Sequence, residues 1–247
     1  MIQIRNLFRS FDGQTVLNGV ELTVPTGKIT VIIGKSGTGK SVLLKHLVGL
    51  LQPDQGEILI DGVDITKARG RTLKQLKERF GMLFQGGALF DSLTVFDNVA
   101  FPLREKTKLP EAEIAKRVQE RLAQVALPPE VASKYPDELS GGMKKRVALA
   151  RALIQEPQIV LFDEPVTGLD PPTTTTVFHL IAKTQRELGY TAVVVSHDIP
   201  EIFTIADYVA MLHQGRIVAA GTPEEIQRCD NPVVQKFLRG EPDYLQE

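Results

Sequence analysis

The sequence lacks the features of a secreted or membrane-spanning chain. It has a single cysteine, Cys229, so no disulfide can form within one chain, and we interpret it as a small apolar side chain. Its longest apolar stretches, such as residues 29–33, are strand-sized and far shorter than the roughly 20 residues of a membrane helix. Residues 1–11 show no basic region followed by an apolar one, so we expect no secretion signal. These absences favour a cytosolic location.

An excess of positive charge is also missing. The sequence has 29 lysines and arginines and 30 acidic residues, which gives a formal net charge of −1. This charge does not indicate a nucleic-acid partner. Hydrophobic residues make up 43% and charged residues 24%, the proportions of an ordinary folded protein, and 247 residues suit one α/β domain with subdomains. No N-K-x-D motif for guanine recognition occurs, which argues against a GTPase.

Apolar runs alternate with stretches of helical periodicity, and this order predicts an α/β fold with a mainly parallel sheet. The predicted strands are residues 2–8 and 15–24 around a turn at Asp12-Gly13, then 29–33, 57–60, 80–84, 158–162, 191–195 and a hairpin of 208–212 with 216–219. The predicted helices are residues 40–51, 111–127, 140–155 and 174–188, the last preceded by Pro171-Pro172. The histidines His46, His179 and His213 fall on these elements, where we expect packing or surface roles.

A glycine-rich motif lies between the strand at 29–33 and the helix from residue 40. It matches G-x-x-x-x-G-K-S and consists of Gly34, Lys35, Ser36, Gly37, Thr38, Gly39, Lys40 and Ser41. Glycines allow backbone N–H groups to surround a phosphate, and the helix N-terminus adds partial positive charge. Lys40 would reach the β- and γ-phosphates of ATP, and the Ser41 hydroxyl would bind Mg²⁺. The alternative is a chance match in a glycine-rich turn.

An acid pair, Asp163-Glu164, ends the apolar run at 158–162. Acids at the end of a buried strand are costly without a partner, and ligands sit at that end of a parallel sheet. We expect Asp163 to hold Mg²⁺ and Glu164 to act as general base toward the attacking water. The alternative is that the two acids cap a helix starting at Pro165.

The segment Leu139-Ser140-Gly141-Gly142-Met143 narrows the class of nucleotide enzyme, because it resembles the LSGGQ motif of ABC-type ATPases. Other residues resemble that family's motifs in the same order along the chain. Phe11 resembles the aromatic residue that stacks on adenine, and Gln85 resembles the glutamine that senses Mg²⁺ and the transmembrane partner. Gly168-Leu169-Asp170 resembles the loop at the dimer interface, and His197 resembles the histidine that contacts the γ-phosphate. The resemblance covers almost the whole chain. It implies an ABC-type P-loop NTPase with a RecA-like core, an antiparallel β subdomain and an α-helical subdomain near residues 86–156, within one domain of residues 1–240 followed by a tail of 241–247.

Two phosphate-binding helix starts, far apart in sequence, suggest that two chains meet head to tail. ATP would then lie between one chain's phosphate loop and Ser140, Gly141, Gly142 and Asp170 of the other, as in the family's dimer. The residue at 143 is methionine where the family usually has glutamine, so a hydrogen bond from that side chain is not expected. The lysines in Lys144–Arg146 are interpreted as a solvated helix face.

Residues 84–90, 94–105 and 196–201, together with Met143, resemble the Mla/Mce-type lipid-transport branch of the family. The resemblance implies a homodimer, peripheral at the cytoplasmic face of the inner membrane, beneath an MlaE-like transmembrane permease with an Mce-type lipid-binding protein. The cargo would be phospholipid moved between inner and outer membranes, and the alternative is another solute, such as an amino acid or a lipoprotein.

Three further alternatives stay open at this point. Residues 84–103 form either a groove that accepts a permease helix or part of the core. The C-terminal residues 233–238 with Asp243-Tyr244-Leu245 either cross to the second subunit or fray. A small-molecule kinase would not need residues 139–143, and a regulator that only binds ATP would not need Glu164.

Overall fold

The computed structural model describes residues 1–241. Residues 242–247, which include Asp243-Tyr244-Leu245, lie outside the described part. The chain divides into two compact units: a first unit of Met1–Glu78 with the segment from Val193 onward, and a second unit of Arg79–Ala192.

Strands and helices alternate as predicted, but the short strand Val63–Asp64 and four helices, Gly70–Glu78, Val95–Lys106, Pro223–Arg228 and Pro232–Leu238, were not predicted. The strands in residues 1–241 are β1 (Ile2–Phe11), β2 (Gln14–Val24), β3 (Ile29–Ile33), β4 (Gln55–Ile60), β5 (Val63–Asp64), β6 (Phe80–Leu83), β7 (Ile159–Asp163), β8 (Thr191–Ser196), β9 (Tyr208–His213) and β10 (Arg216–Gly221). The α-helices are α1 (Lys40–Leu47), α2 (Gly70–Glu78), α3 (Val95–Lys106), α4 (Glu111–Gln124), α5 (Gly141–Leu153), α6 (Pro171–Leu188), α7 (Pro223–Arg228) and α8 (Pro232–Leu238). None of the helices in residues 1–241 is long and apolar enough to span a membrane.

An antiparallel sheet with the strand order β2-β1-β4-β5 lies in the first unit. The turn between β1 and β2 falls at Asp12-Gly13, where φ is 48° and 81°, and positive φ at both positions suits a tight hairpin. Alternate residues of β1, Ile2 and Ile4, are buried, because side chains of a strand point to opposite faces. This confirms the predicted hairpin.

The first unit also holds the strand that precedes the glycine-rich motif. All of β3 is buried, and it pairs in parallel with β9, with Thr30 opposite Tyr208 and Ile33 opposite Met211. Strands β10, β9, β3 and β8 are neighbours in that order. A run that is apolar on both faces is typical of a buried parallel strand, and the prediction for 29–33 is confirmed.

The second unit combines parallel strands with packed helices. Strands β6 and β7 pair in parallel, with Phe80 opposite Ile159 and Leu83 opposite Phe162. Helix α5 packs against α3, α4 and α6, and its residues Val147 and Leu149 are fully buried. Helix α5 is therefore the central helix of this unit.

Helix ends differ from the prediction where a residue adopts a left-handed backbone. Helix α1 ends at Leu47 rather than 51 because Gly49 has φ 65° and the Leu50 N–H bonds back to the Lys45 carbonyl at 2.9 Å. Helix α4 ends at Gln124 rather than 127, since Ala126 has φ 56°. Helix α6 starts earlier than predicted, at Pro171.

The histidines take the packing and surface positions expected of them. His46 is buried in α1, where its Nδ1 lies 2.7 Å from the Val42 carbonyl oxygen, and burial lowers its pKa. His179 is exposed and His213 is half-buried at the end of β9.

Asn98 is a buried polar residue of the second unit whose side chain is hydrogen-bonded to the surrounding backbone. It is fully buried, and its amide Nδ2 donates to the carbonyls of Phe90, Leu93 and Thr94 at 3.0, 3.1 and 3.0 Å, while its Oδ1 accepts from the Phe90 N–H at 2.8 Å. The side chain thereby ties the segment before α3 to that helix.

Asn98→Ala should lower the free energy of unfolding by about 3 kcal/mol, because it leaves buried backbone groups without partners. Urea unfolding measures the loss, and Gln119→Ala, an exposed position of α4, serves as the control. Equal midpoints for the two variants would contradict this role.

Candidate functional site

The glycine-rich loop of residues 34–41 leaves β3 and opens α1, as predicted. Lys40 is 4% exposed, and its Nζ donates to the Gly34 and Lys35 carbonyls at 2.8 and 2.9 Å. The Thr38 hydroxyl donates to the Lys35 carbonyl at 2.9 Å. These bonds close the loop around the ammonium group, so the charge is held at the start of the helix.

Glycine is required at two points of this loop. Gly34 has φ 154° and lies against the Leu212 carbonyl, so an added Cβ would collide with backbone. Gly39 has φ 96°, and an added Cβ would lie 2.9 Å from Val16 Cγ1 of β2. The loop is therefore packed against β2 and β9, with Ser36 and Gly37 exposed at its tip.

Two further predicted residues lie in the first unit. Phe11 ends β1 and is 36% exposed, so one part of its ring is open to a ligand. His197 follows β8 and is exposed. The turn after it is fixed by Asp198, whose carboxylate accepts from the Ser196 hydroxyl at 2.8 Å while its N–H donates to the same hydroxyl at 3.1 Å.

The acid pair lies at the carboxyl end of β7, as predicted. Asp163 and Glu164 are 6% and 7% exposed. Glu164 has φ 49°, a conformation that costs energy for a residue with a side chain, and its Oε2 accepts from the Thr167 hydroxyl at 3.1 Å. The alternative that the acids cap a helix at Pro165 is wrong, because the next helix, α6, begins at Pro171.

Ser140 is the N-cap of α5. Its Oγ accepts from the Met143 N–H at 3.3 Å, and Ser140 and Gly141 are exposed. Gly142 is buried against the Thr173 methyl group, where a side chain would collide. The helix start thus presents a small, glycine-lined surface, which suits an anionic ligand.

Asp170 caps α6, a role that the sequence analysis missed. Its carboxylate accepts from the Thr173 N–H at 3.1 Å, and hydrogen bonds from Thr173 hold the pKa of Asp170 below its usual value. The spacing Asp170-Pro-Pro-Thr173 is typical of a helix N-cap and was available in the sequence.

Gln85 lies after β6 and is exposed. Its main-chain carbonyl accepts a short hydrogen bond from the Lys145 Nζ of α5. Arg151, two turns further along α5, donates to the carbonyls of Ala88 and Gly87 at 2.8 and 2.7 Å. Cations of α5 therefore hold the backbone of residues 85–88.

The predicted site residues are divided between the two units. The first unit contains Phe11, Gly34, Lys35, Ser36, Gly37, Thr38, Gly39, Lys40, Ser41 and His197, and the second contains Gln85, Ser140, Gly141, Gly142, Asp163, Glu164 and Asp170. The first set fits a triphosphate, because it combines an unhindered glycine loop, a buried lysine and a helix N-terminus. Asp163, at the carboxyl end of β7 in the second unit, offers a carboxylate of the kind that binds Mg²⁺.

Comparisons with known proteins agree with this geometry. A model of the family described as ABC transporter matches residues 17–167. A second model, described as "AAA domain, putative AbiEii toxin, Type IV TA system", matches the overlapping residues 131–204. Since the first match covers more than half of the chain and includes both the phosphate loop and the acid pair, it decides the family. The chain belongs to the ABC transporter family.

Several relatives of this ABC ATPase align along nearly its whole length. The intermembrane phospholipid transport system ATP-binding protein MlaF of Haemophilus influenzae is 44% identical over 243 residues, which cover 98% of this chain and 92% of that protein. MlaF of Escherichia coli K12 is 44% identical over 98% of this chain and 90% of that protein. The probable ribonucleotide transport ATP-binding protein mkl of Mycobacterium tuberculosis is 45% identical over 97% of this chain, which spans only 66% of the length of that relative.

Solved structures share the fold. The dimeric ATP-binding cassette MJ0796, in a post-hydrolysis state with ADP and Pi, is 31% identical with a TM-score of 0.81, over 90% of this chain and 99% of that one. The cbiO1 subunit from Clostridium perfringens, part of the ABC transporter complex cbiONQ, is 34% identical with a TM-score of 0.84, over 96% and 94% of the two chains. The fold class, an ABC-type P-loop NTPase, is confirmed.

Lys145 of this ABC ATPase corrects the sequence analysis. The lysines after Met143 were expected on a solvated face, but Lys145 is 7% exposed. Burial lowers the pKa of Lys145, and the nearby carboxylates of Glu164 and Asp163 oppose that shift. Lysine side chains usually lie at the surface, so the sequence alone favoured exposure of Lys145. Its partner, the Gln85 carbonyl, is distant in the sequence, and only the folded structure shows that the two are in contact.

Lys145→Met should reduce ATP turnover about tenfold while the fold persists, because methionine fills the space but leaves the Gln85 carbonyl without its donor, a loss of about 1.4 kcal/mol. Steady-state ATPase assays and thermal unfolding measure the two effects. Lys144→Met, at the adjacent half-buried position, is the matched control. Unchanged turnover in Lys145→Met would contradict the anchoring role.

Proposed function

We propose that this ABC ATPase powers the transport of phospholipid between the inner and outer membranes through a separate permease. The observation that carries the proposal is the similarity to MlaF of Haemophilus influenzae, which extends over 98% of this chain and 92% of that protein. The mycobacterial relatives, whose name refers to ribonucleotide transport, extend well beyond the matched region, since the chain covers 66% to 69% of their length. The full-length match therefore favours phospholipid.

The ATP site is proposed to combine the phosphate loop with Phe11 and the acid pair. Lys40 would contact the β- and γ-phosphates, and the Phe11 ring would stack on adenine. Mg²⁺, when bound by Ser41, Gln85 and Asp163, would offset the charge of the phosphates. The Glu164 carboxylate would take a proton from the attacking water, with His197 at the γ-phosphate.

The working unit is proposed to be a homodimer with ATP between the two copies. The second copy would supply Ser140, Gly141, Gly142 and Asp170 to the γ-phosphate. The glycine-lined start of α5 supports this, since it is a second anion-binding helix end in the same chain. The solved cassette MJ0796 is described as dimeric. Residues 1–240 would form the nucleotide-binding domain, with residues 86–156 as its helical subdomain.

Glu164→Gln should reduce turnover at least about 100-fold, since the amide cannot accept the proton, and should leave a dimer that persists with MgATP. ATPase assays and size-exclusion chromatography with and without ATP measure the two effects. Full turnover in this variant would remove Glu164 as the base. Thr167→Ala, which removes the hydroxyl that donates to Glu164, should have a smaller effect.

A groove in the second unit is proposed to receive the permease at the cytoplasmic face of the inner membrane. The cavity has a volume of about 450 Å³ and is lined by β6, α3 and α5, with Phe84, Phe90 and Phe101 at its walls. These rings are 36%, 43% and 38% exposed, whereas Val99 and Leu103 of the same segment are buried, so the segment contributes to both the groove and the core. The rings of Phe90 and Phe101 lie 5.0 Å apart. Apolar grooves of this kind accept an amphipathic helix.

Phe90→Ser should weaken co-purification of the permease at least about tenfold and lower transport, because an aromatic side chain at the groove would be lost from the contact. Leu50→Ser, a similarly exposed apolar residue at 56% exposure in the first unit, is the control. The groove assignment fails if Phe90→Ser and Leu89→Ser both bind the permease and support transport normally.

The cargo is tested by what accompanies the chain from native membranes. Gentle solubilisation of a tagged chain should recover an MlaE-like permease, an Mce-type lipid-binding protein and bound phospholipid. A permease for ribonucleotide, amino acid or lipoprotein in their place would overturn the cargo and leave the ATPase assignment intact.

A further inference from the structure

Arg9 and Phe11 lie two residues apart in β1, and their side chains are in contact. The Arg9 guanidinium carbon lies 4.5 Å from the centre of the Phe11 ring, a distance that allows a cation–π contact. The arginine therefore covers part of one face of an aromatic ring that is otherwise 36% exposed.

The Arg9 guanidinium is itself held in place. Its Nη1 donates to the Asp54 Oδ1 at 2.7 Å and to the Gln52 carbonyl at 3.2 Å. The other carboxylate oxygen of Asp54 accepts from the Ser10 N–H at 2.7 Å, and the Asp54 N–H donates to the Phe8 carbonyl at 2.9 Å. Asp54 thus fixes both the backbone of β1 and the arginine that covers Phe11.

The same elements adjoin the phosphate loop. Asp54 lies in the connection that follows α1, the helix opened by Lys40. Leu17 of β2, which is paired with Arg9 across the hairpin, lies beside Gly39 of the loop. The hairpin that carries Arg9 and Phe11 therefore packs against the loop at Gly39.

We propose that Arg9, held by Asp54, is a positioning residue for adenine binding. By covering one face of Phe11 it fixes the ring plane and leaves the opposite face for the base. The inference rests on the proposed stacking role of Phe11. It goes beyond that role because it assigns a specific part of nucleotide affinity to a residue that touches only the ring.

Tripolyphosphate distinguishes this role from a general structural one, because it has the phosphates of ATP but no base. Equilibrium binding of MgATP and of Mg-tripolyphosphate is measured for the full chain and for Arg9→Met. We expect the Kd for MgATP to rise about three- to tenfold while the Kd for tripolyphosphate is unchanged. Arg9→Lys should restore part of the affinity, and Asp54→Asn should reproduce part of the loss.

Arg5→Met is the matched control, since Arg5 lies in the same strand and pairs with Glu57 at 3.2 Å, whereas the arginine stacked on Phe11 is Arg9. Unchanged MgATP binding in Arg9→Met, or equal losses for both ligands, would overturn the inference.

Phe11→Ala separates this inference from the stacking role itself. If Phe11→Ala weakens MgATP binding but Arg9→Met does not, the inference fails and the stacking role stands. If Phe11→Ala has no effect, both fail. If the inference holds, Arg9→Met causes no further loss in a Phe11→Ala background.

Discussion

A loop that surrounds a phosphate with backbone N–H groups needs a backbone course that most side chains would block. The rest of the site depends on that backbone course. Gly34 and Gly39 meet the need because one faces the Leu212 carbonyl and the other Val16, with no room for Cβ. The closure of the loop around the buried Lys40 ammonium then fixes a positive charge at the start of α1. The hairpin of β1 and β2 and the end of β9 support the loop, and so connect the antiparallel sheet to the proposed ATP site.

The second unit buries charged side chains beside the end of the buried strand β7. Asp163 and Glu164 are almost inaccessible, and Lys145 is buried in the same region, where it donates to Gln85. Buried charges persist when they are paired and hydrogen-bonded. The basic residues of α5 therefore hold the backbone around Gln85, next to the exposed aromatic groove that is proposed to receive the permease.

The sequence predicted those strands and helices in which apolar residues follow a regular pattern along the whole element. The apolar runs at 29–33 and 158–162 became β3 and β7, and the motif after residue 33 took the loop geometry that its glycines imply. Helix α3 was not predicted, since Pro102 lies inside it. Helix α4 ended early at a left-handed Ala126, a conformation that alanine rarely adopts. The burial of Lys145 depends on a contact with Gln85, which is distant in the sequence. The cap at Asp170 depends on turn geometry. The spacing of apolar residues shows neither feature.

Each ATP is proposed to lie between the phosphate loop of one copy of this chain and the start of α5 in the other. Two variants in a Glu164→Gln background test it: Lys40→Ala, which removes the phosphate-loop cation, and Ser140→Arg, which blocks the start of α5. Neither should dimerise strongly with MgATP alone, but their mixture forms one intact composite site. Sedimentation velocity should therefore show an ATP-dependent dimer only in the mixture. A mixture that stays monomeric, or Ser140→Arg alone dimerising like the parent, would contradict the account.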